Sequence, residues 1–200
     1  MSEPTVVFSS LQFLAASDLH GALEPTEALL AAYEAEKALR PTRLLLLGDL
    51  LYHGPRNDLP STYAPKEVIS RLNRYREEIY CVRGNCDTEV DQMVLQFPIL
   101  SDSLLLPFGD RLVFATHGHR FCDETVTGAT MPPLQKGDIL LSGHTHVPRM
   151  EQKNGFVFLN PGSVSIPKNG STPGYLLLIP EERRILHKTL CGGLLSELRL

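Results

Sequence analysis

The sequence predicts an α/β protein built on two sheets packed face to face, with helices outside. Two observations carry the class, and a third places its working end. The first half alternates apolar runs with amphipathic segments in the order β-α-β-α-β-α, which implies parallel strands joined by right-handed crossovers. The second half is a succession of strand-like runs without helical periodicity between them, as in a mixed or antiparallel sheet. Across both halves, five apolar runs end in a short polar motif: Asp18-Leu19-His20-Gly21, Gly48-Asp49-Leu50-Leu51, Gly84-Asn85-Cys86-Asp87, His117-Gly118-His119 and Gly143-His144-Thr145-His146.

The elements follow in chain order. "LQFLAAS" is a strand running into Asp18. Pro25 to Arg40 is an Ala- and Glu-rich helix stopped by Pro41. "RLLLLG" is a second strand ending at Asp49, followed by a loop rich in Pro, Asn and Gly. Pro65 opens a second helix with Val68, Ile69, Leu72 and Tyr75 on one face. "EIYCVRG" is the third strand, ending in Asn85. Thr88 caps a third helix, on which Val90, Met93, Val94 and Phe97 recur at the spacing of one buried face, and Pro98 closes it. "LLLPFGDRLVFAT" is a hairpin turning at Gly109-Asp110; "DILLSG", "FVFLN", "GYLLLI" and "RILHKTL" are the remaining strands. The residues from about Cys191 are expected to fray.

Length and composition set the outer bounds. Two hundred residues suit a single domain over 1–200 with a real core. With 42% hydrophobic and 21% charged residues the chain reads as soluble and globular. A net charge of −4 leaves no nucleic-acid footprint. Arg71, Arg74 and Arg76, beside Glu77 and Glu78, read as a solvated helix face. No apolar run approaches the roughly 20 residues of a membrane span. The apolar patch Leu11 to Ala16 has no Lys or Arg before it, the first being Lys37, so it lacks the positive region of a signal peptide. Cys81, Cys86, Cys122 and Cys191 form no Cys-x-x-Cys pair, and a reducing, cytoplasmic setting is expected.

In open α/β sheets ligands bind just beyond the carboxyl ends of the strands, so the five motifs are expected on one rim. They bring four imidazoles (His20, His117, His144, His146), two carboxylates (Asp18, Asp49) and the amide oxygen of Asn85. By ligand type such a cluster is a metal site. It exceeds the three or four ligands that one catalytic ion takes from protein. Two divalent ions about 3.5–4 Å apart, sharing one carboxylate, resolve the excess. Asp49, ending a central strand, is the bridging candidate. Imidazole and oxygen ligands without thiolate suit Mn, Fe or Zn rather than Ca. Any one motif reads equally well as polar decoration of a strand end; five in order, all at strand ends, do not.

These blocks resemble those of the calcineurin-like metallophosphoesterases. "SDLHG", "GDLLYHGPRN", "VRGNCD", "THGH", "GHTHVP" and "NPGSVSIPK" carry the resemblance from about Leu14 to Lys168, less clearly over Phe121 to Lys136 and after Pro180. It implies a four-layer α/β/β/α sandwich of two mixed sheets. It implies one ion on Asp18, His20, Asp49 and His146 and a second on Asp49, Asn85, His117 and His144, with manganese the ion suggested. The activity implied is hydrolysis of a small-molecule phosphodiester by a hydroxide bridging two ions, with no protein nucleophile. His119 is then a substrate-contacting candidate rather than a ligand. Arg56 and Asn57, in the loop after Asp49, are expected at the phosphate. His53 and His187 read as structural, and Cys81 as core. The motifs do not separate a diesterase from a phosphomonoesterase. The fold also resembles that of a retromer scaffold subunit, but here every ligand position is filled. Association into a homo-oligomer is left open.

Cys86 departs from the pattern. In most members the residue after the ligand Asn is His, oriented by the following Asp, and it assists the leaving group. A thiol, with an ordinary pKa near 8.5, is a weak donor and brings no positive charge. With Cys86 beside Asp87, the expectation is an enzyme that favours aryl-type leaving groups.

Overall fold

The computed structural model describes residues 11–121 and 132–200; Cys122 lies outside them. Strands β1 (Gln12–Ala16), β2 (Thr42–Leu46) and β3 (Ile79–Cys81) are joined through helices α1 (Leu23–Leu39) and α2 (Pro65–Asn73). They pair in parallel, Leu14 opposite Leu44 and Leu46 opposite Cys81. Beyond α3 (Glu89–Gln92) come β4 (Ser103–Phe108), β5 (Arg111–Thr116), β6 (Ile139–Leu141), β7 (Arg149–Lys153), β8 (Phe156–Asn160), β9 (Gly174–Ile179), β10 (Arg184–Thr189) and β11 (Leu194–Arg199).

Two mixed sheets result. One has the order β11-β10-β9-β1-β2-β3, the other β4-β5-β6-β8-β7. The late strand β9 returns to pair antiparallel with β1, so the two halves of the sequence are not the two sheets. β5, β6 and β8 run parallel to one another. Pro107, which cannot donate to a ladder, sits in β4 at the edge of its sheet.

The strands alternate between two hydrophobic layers. Phe13, Ala15, Leu45 and Leu47 face Val113, Ala115, Leu141 and Leu159 in the core between the sheets. Leu14, Ala16, Leu44 and Leu46 pack instead under Leu29 and Tyr33 of α1 and Val68 and Leu72 of α2. Because both faces are covered, these strands read as continuous apolar runs rather than alternating ones. On the outer face of the second sheet Phe114, Leu140, Phe156 and Phe158 pack with Phe121 and Leu134; among the described residues no α-helix covers that face.

Four expectations change. Helix α1 begins at Leu23, two residues before Pro25, and ends at Leu39. The third helix is a single turn: Thr88 does cap it, in a capping box with Asp91, but Val90 and Met93 are 69% and 83% exposed and only Phe97 is buried. The apolar period there marks a surface, not a core face. The C-terminal residues do not fray. β11 pairs with β10, and the Arg184 guanidinium donates to both oxygens of Glu197 at 2.9 and 3.0 Å. β7, "RMEQK", was not expected at all, being a polar edge strand without apolar alternation.

Candidate metal centre

Parallel pairing brings the carboxyl ends of β1, β2 and β3 to one edge of the first sheet and those of β5, β6 and β8 to one edge of the second. The residues that follow those ends converge. Asp18, His20 and His146 offer ligand atoms all within 4.8 Å of one another, as do Asp18, Asp49 and His117. His117 Nε2 lies 3.4 Å from Asp49 Oδ2, 3.0 Å from Asn85 Oδ1 and 3.2 Å from His144 Nδ1. His20 Nε2 lies 3.9 Å from the same Asp49 oxygen. Thus Asp49 stands between an Asp18–His20–His146 group and an Asn85–His117–His144 group.

The outer hydrogen bonds decide what the inner atoms are. The Nδ1 of His20 lies 2.7 Å from the Tyr52 carbonyl, that of His117 2.7 Å from the Leu47 carbonyl, and that of His146 2.6 Å from the Ile166 carbonyl. A carbonyl only accepts, so each Nδ1 carries the proton and each neutral ring turns an Nε2 lone pair inward. Those lone pairs face carboxylates and one another: His20 Nε2 is 3.3 Å from His146 Nε2, and Asp18 Oδ1 is fully buried without a donor. An array of buried acceptors without donors is costly unless a cation sits among them. The residues present therefore fit divalent metal. Without a cation, the carboxylates call for positive charge at the centre by another route. Burial opposes a charged His117, yet the neighbouring Asp49 and Asp18 push its pKa up to about 9. Burial likewise opposes ionisation of Asp18, yet His146 and His20 hold it well below the usual carboxylate range.

The backbone is bent to deliver these side chains. Asp18, His20, Asp49, His144 and His146 all have φ between 48° and 66°. Left-handed backbone at non-glycine residues costs on the order of 1–3 kcal/mol each, and its concentration in five of the seven candidate ligands marks a built site. Close approach does the rest. A Cβ on Gly84 would lie 2.1 Å from Asp49 Oδ1, and one on Gly143 1.8 Å from Ser17 Oγ. The Ser163 and Ser165 hydroxyls both donate to the Asp18 carbonyl, at 2.8 and 2.9 Å.

The other candidates are more dispersed. Cys86 borders the centre: its Sγ lies within 4.8 Å of ligand atoms of His20 and Asp49. Its backbone N–H donates to Asp49 Oδ1 at 2.8 Å. Burial, and then the charge of Asp49, push its thiol up to about 12, so it is neutral. Asp87 does not orient the side chain before it. Both its oxygens accept backbone N–H groups, from Asp49, Leu50 and Gly84. Arg56 and Asn57 do reach the cavity of about 420 Å³ that lies over Asp49, Asn85, His144 and His146. One Asn57 N–H is already given to the His53 carbonyl at 2.7 Å. His119 is exposed; its ring centroid is 5.4 Å from that of His117, and burial and the His117 charge hold its pKa below the ordinary value. Sequence reasoning passed over Lys168, which lines the same cavity as Arg56; its signal was its place in "NPGSVSIPK", in the loop after β8.

Comparison with known proteins agrees with this geometry. The model of the calcineurin-like phosphoesterase superfamily domain matches residues 11–183, and the chain belongs to that superfamily. It is similar to phosphodiesterase YfcE of Escherichia coli K12, 44% identical over 168 residues that cover 84% of this chain and 87% of that protein. The structure of E. coli YfcE, described as a phosphoesterase, superposes with a TM-score of 0.84 at 39% identity, covering 94% of this chain and 98% of that one. The probable metallophosphoesterase YsnB of Bacillus subtilis is 27% identical over 86% of this chain and 85% of its own length. Vps29 of Entamoeba histolytica shares the fold, with a TM-score of 0.61 at 21% identity over 94% and 98% of the two chains.

Proposed function

We propose that the chain hydrolyses phosphodiesters of small molecules with two divalent cations, manganese in the first instance, and favours aryl-type leaving groups. It is a phosphoric diester hydrolase of the metallophosphoesterase class. The observation that carries the reading is the set of three imidazoles whose outer nitrogens are tied to carbonyls, leaving inner lone pairs crowded against Asp18, Asp49 and Asn85. When bound, two such cations supply Lewis acidity to the phosphoryl oxygens and bring the pKa of water down towards neutrality.

The chain's own residues do the rest. Asp18, His20, Asp49 and His146 would hold one cation, and Asp49, Asn85, His117 and His144 the other. Arg56 and Lys168, the cationic side chains lining the cavity, attract and orient the phosphate. Cys86, a neutral thiol at the centre's edge, gives a departing oxygen a weak donor and no charge, so the leaving group must stabilise its own negative charge. A cytoplasmic setting is part of the proposal; among the described residues no helix is long and apolar enough to cross a membrane. The likeness to Vps29 supports a shared fold only.

The test is a panel of aryl and alkyl phosphodiesters of equal size, assayed with and without manganese, with metal content measured in parallel. Manganese-dependent turnover, much faster for aryl esters, is expected. Metal-replete protein that turns over no diester, or treats matched aryl and alkyl esters alike, would overturn the reading.

A further inference from the structure

We propose that the apolar groove that begins at Cys86 is a binding site for an extended aromatic leaving group. The inference rests on the diesterase reading above and names the substrate class more closely: diesters whose departing alcohol is a fused or substituted aryl group.

The groove, about 460 Å³, is walled by Leu51, Tyr52, Tyr63, Ile69, Val90 and Val94. Cys86 lines both this groove and the cavity over the metal centre, so the groove starts at the position facing the leaving group. One wall is aromatic. The Tyr52 ring stands edge-on to His53 at 4.8 Å between centroids, and His53 edge-on to Tyr63 at 5.5 Å, fixing surfaces against which another ring can stack. The groove is also lined by α3 and the residues just after it, where Val90 is 69% and Val94 44% exposed. This is the apolar period that the core does not use, and it lies beside the site instead. The charged side chains at the groove are Lys66 and Asp91, and the Asp91 carboxylate is taken up by Thr88, whose N–H and hydroxyl both donate to it at 2.8 Å. The walls are thus poor in partners for the hydroxyls of a sugar alcohol and well suited to a ring.

The missing imidazole and the apolar groove point to the same substrate. In the reaction a water oxygen bonds to phosphorus, the bond from phosphorus to the aryl oxygen breaks, and the phenolate leaves with the electron pair. The products are a phosphomonoester, the phenol or phenolate and, where the phenolate stays ionised, a proton. A phenolate needs no acid at residue 86, and its ring finds the groove adjacent.

The experiment uses manganese-loaded full-length protein and paired alkyl aryl phosphodiesters, phenyl and naphthyl, with substituents chosen so that the two phenols have equal pKa. Burying the second ring is expected to favour the naphthyl ester about tenfold in kcat/KM. A Val90→Asp/Val94→Asp double variant, altered at exposed positions, is expected to lose that preference while keeping its metal content and melting temperature. 2-Naphthol should inhibit wild type competitively and the variant less. Equal kcat/KM for the pair in wild type, or a preference that survives in the variant, would overturn the groove assignment while leaving the diesterase reading intact. So would a variant whose one change is a lower molar mass by light scattering, which would make this face a contact between copies of the chain. Metal-replete protein inert towards both esters would overturn the diesterase reading, and the groove assignment with it.

Discussion

Asp87 holds Asp49 in place from beneath. Its Oδ2 accepts the Asp49 backbone N–H at 2.8 Å and that of Gly84 at 2.7 Å, and its Oδ1 accepts that of Leu50 at 2.9 Å. Asp49 sits at φ 56°, a conformation it would not keep unaided. The two residues come from turns after different strands, so one buried carboxylate ties the end of β2 to the end of β3.

Removing it should therefore act through position. Asp87→Ala leaves three buried N–H groups unpaired, at a cost of roughly 3 kcal/mol or more. It should also loosen the carboxylate placed to bridge the cations. A lower melting temperature with reduced metal content is expected. A variant of unchanged stability that binds metal normally and loses only activity would show that Asp87 acts on the substrate instead.

Asp49 itself bears on both candidate groups, with Oδ2 3.4 Å from His117 Nε2 and 3.9 Å from His20 Nε2. Asp49→Ala should abolish activity and lower metal content below one ion per chain, read by elemental analysis of dialysed protein. Two ions retained in the variant would rule out a shared carboxylate.

How much of this was legible depends on where the determinants lie. The candidate ligands are readable because each ends an apolar run, and parallel pairing then gathers them whatever the details of packing. The role of Asp87 is not readable, since its partners Asp49 and Leu50 are defined only by the contact of two turns. Val90, Met93 and Val94 mislead because a helical period reports one shared face without saying whether protein covers it. β7 escapes because its residues, "RMEQK", are almost all polar or charged, and β11 because its leucines lie on an edge strand that is mostly exposed and show no buried alternation. Lys168 escapes because its place at the end of "NPGSVSIPK" is its only signal, and a lone lysine in a loop does not show from sequence which cavity it lines.

A pH effect on stability is expected at His187. His187, on β10, is buried, and its Nε2 has no partner. Burial holds its pKa below the ordinary 6.5. The unfolded chain therefore binds the proton more readily than the folded one. The stabilising contribution of neutral His187 is complete above about pH 6.5 and is lost as pH falls below it, by up to ~1.4 kcal/mol per pH unit. His187→Leu should flatten the fall in unfolding free energy between pH 7 and pH 5 relative to wild type, measured by denaturant titration at each pH. Identical slopes for the two proteins would remove His187 from the account.

Cys86→His tests the leaving-group position directly. An imidazole there supplies a proton donor with a pKa near neutrality where the thiol is pushed up to about 12. General acid help is typically worth about 10²–10⁴-fold. The lower end is expected, because Asp87 is engaged with three backbone N–H groups and offers the new ring no dedicated orienting partner. A Cβ placed on Gly54 would lie 3.3 Å from Cys86 Sγ, so the loop over the site must yield slightly to a larger side chain. The gain, about 10²-fold in kcat, should appear on alkyl diesters and be small on aryl esters, which need no acid. Cys86→Ala should change aryl-ester turnover little. If Cys86→Ala keeps its metals and loses most aryl-ester activity, the thiol takes part in the reaction. If Cys86→His keeps its metals and gains nothing on any alkyl diester, residue 86 does not face the departing oxygen, and the preference for aryl esters must come from the groove beside it alone.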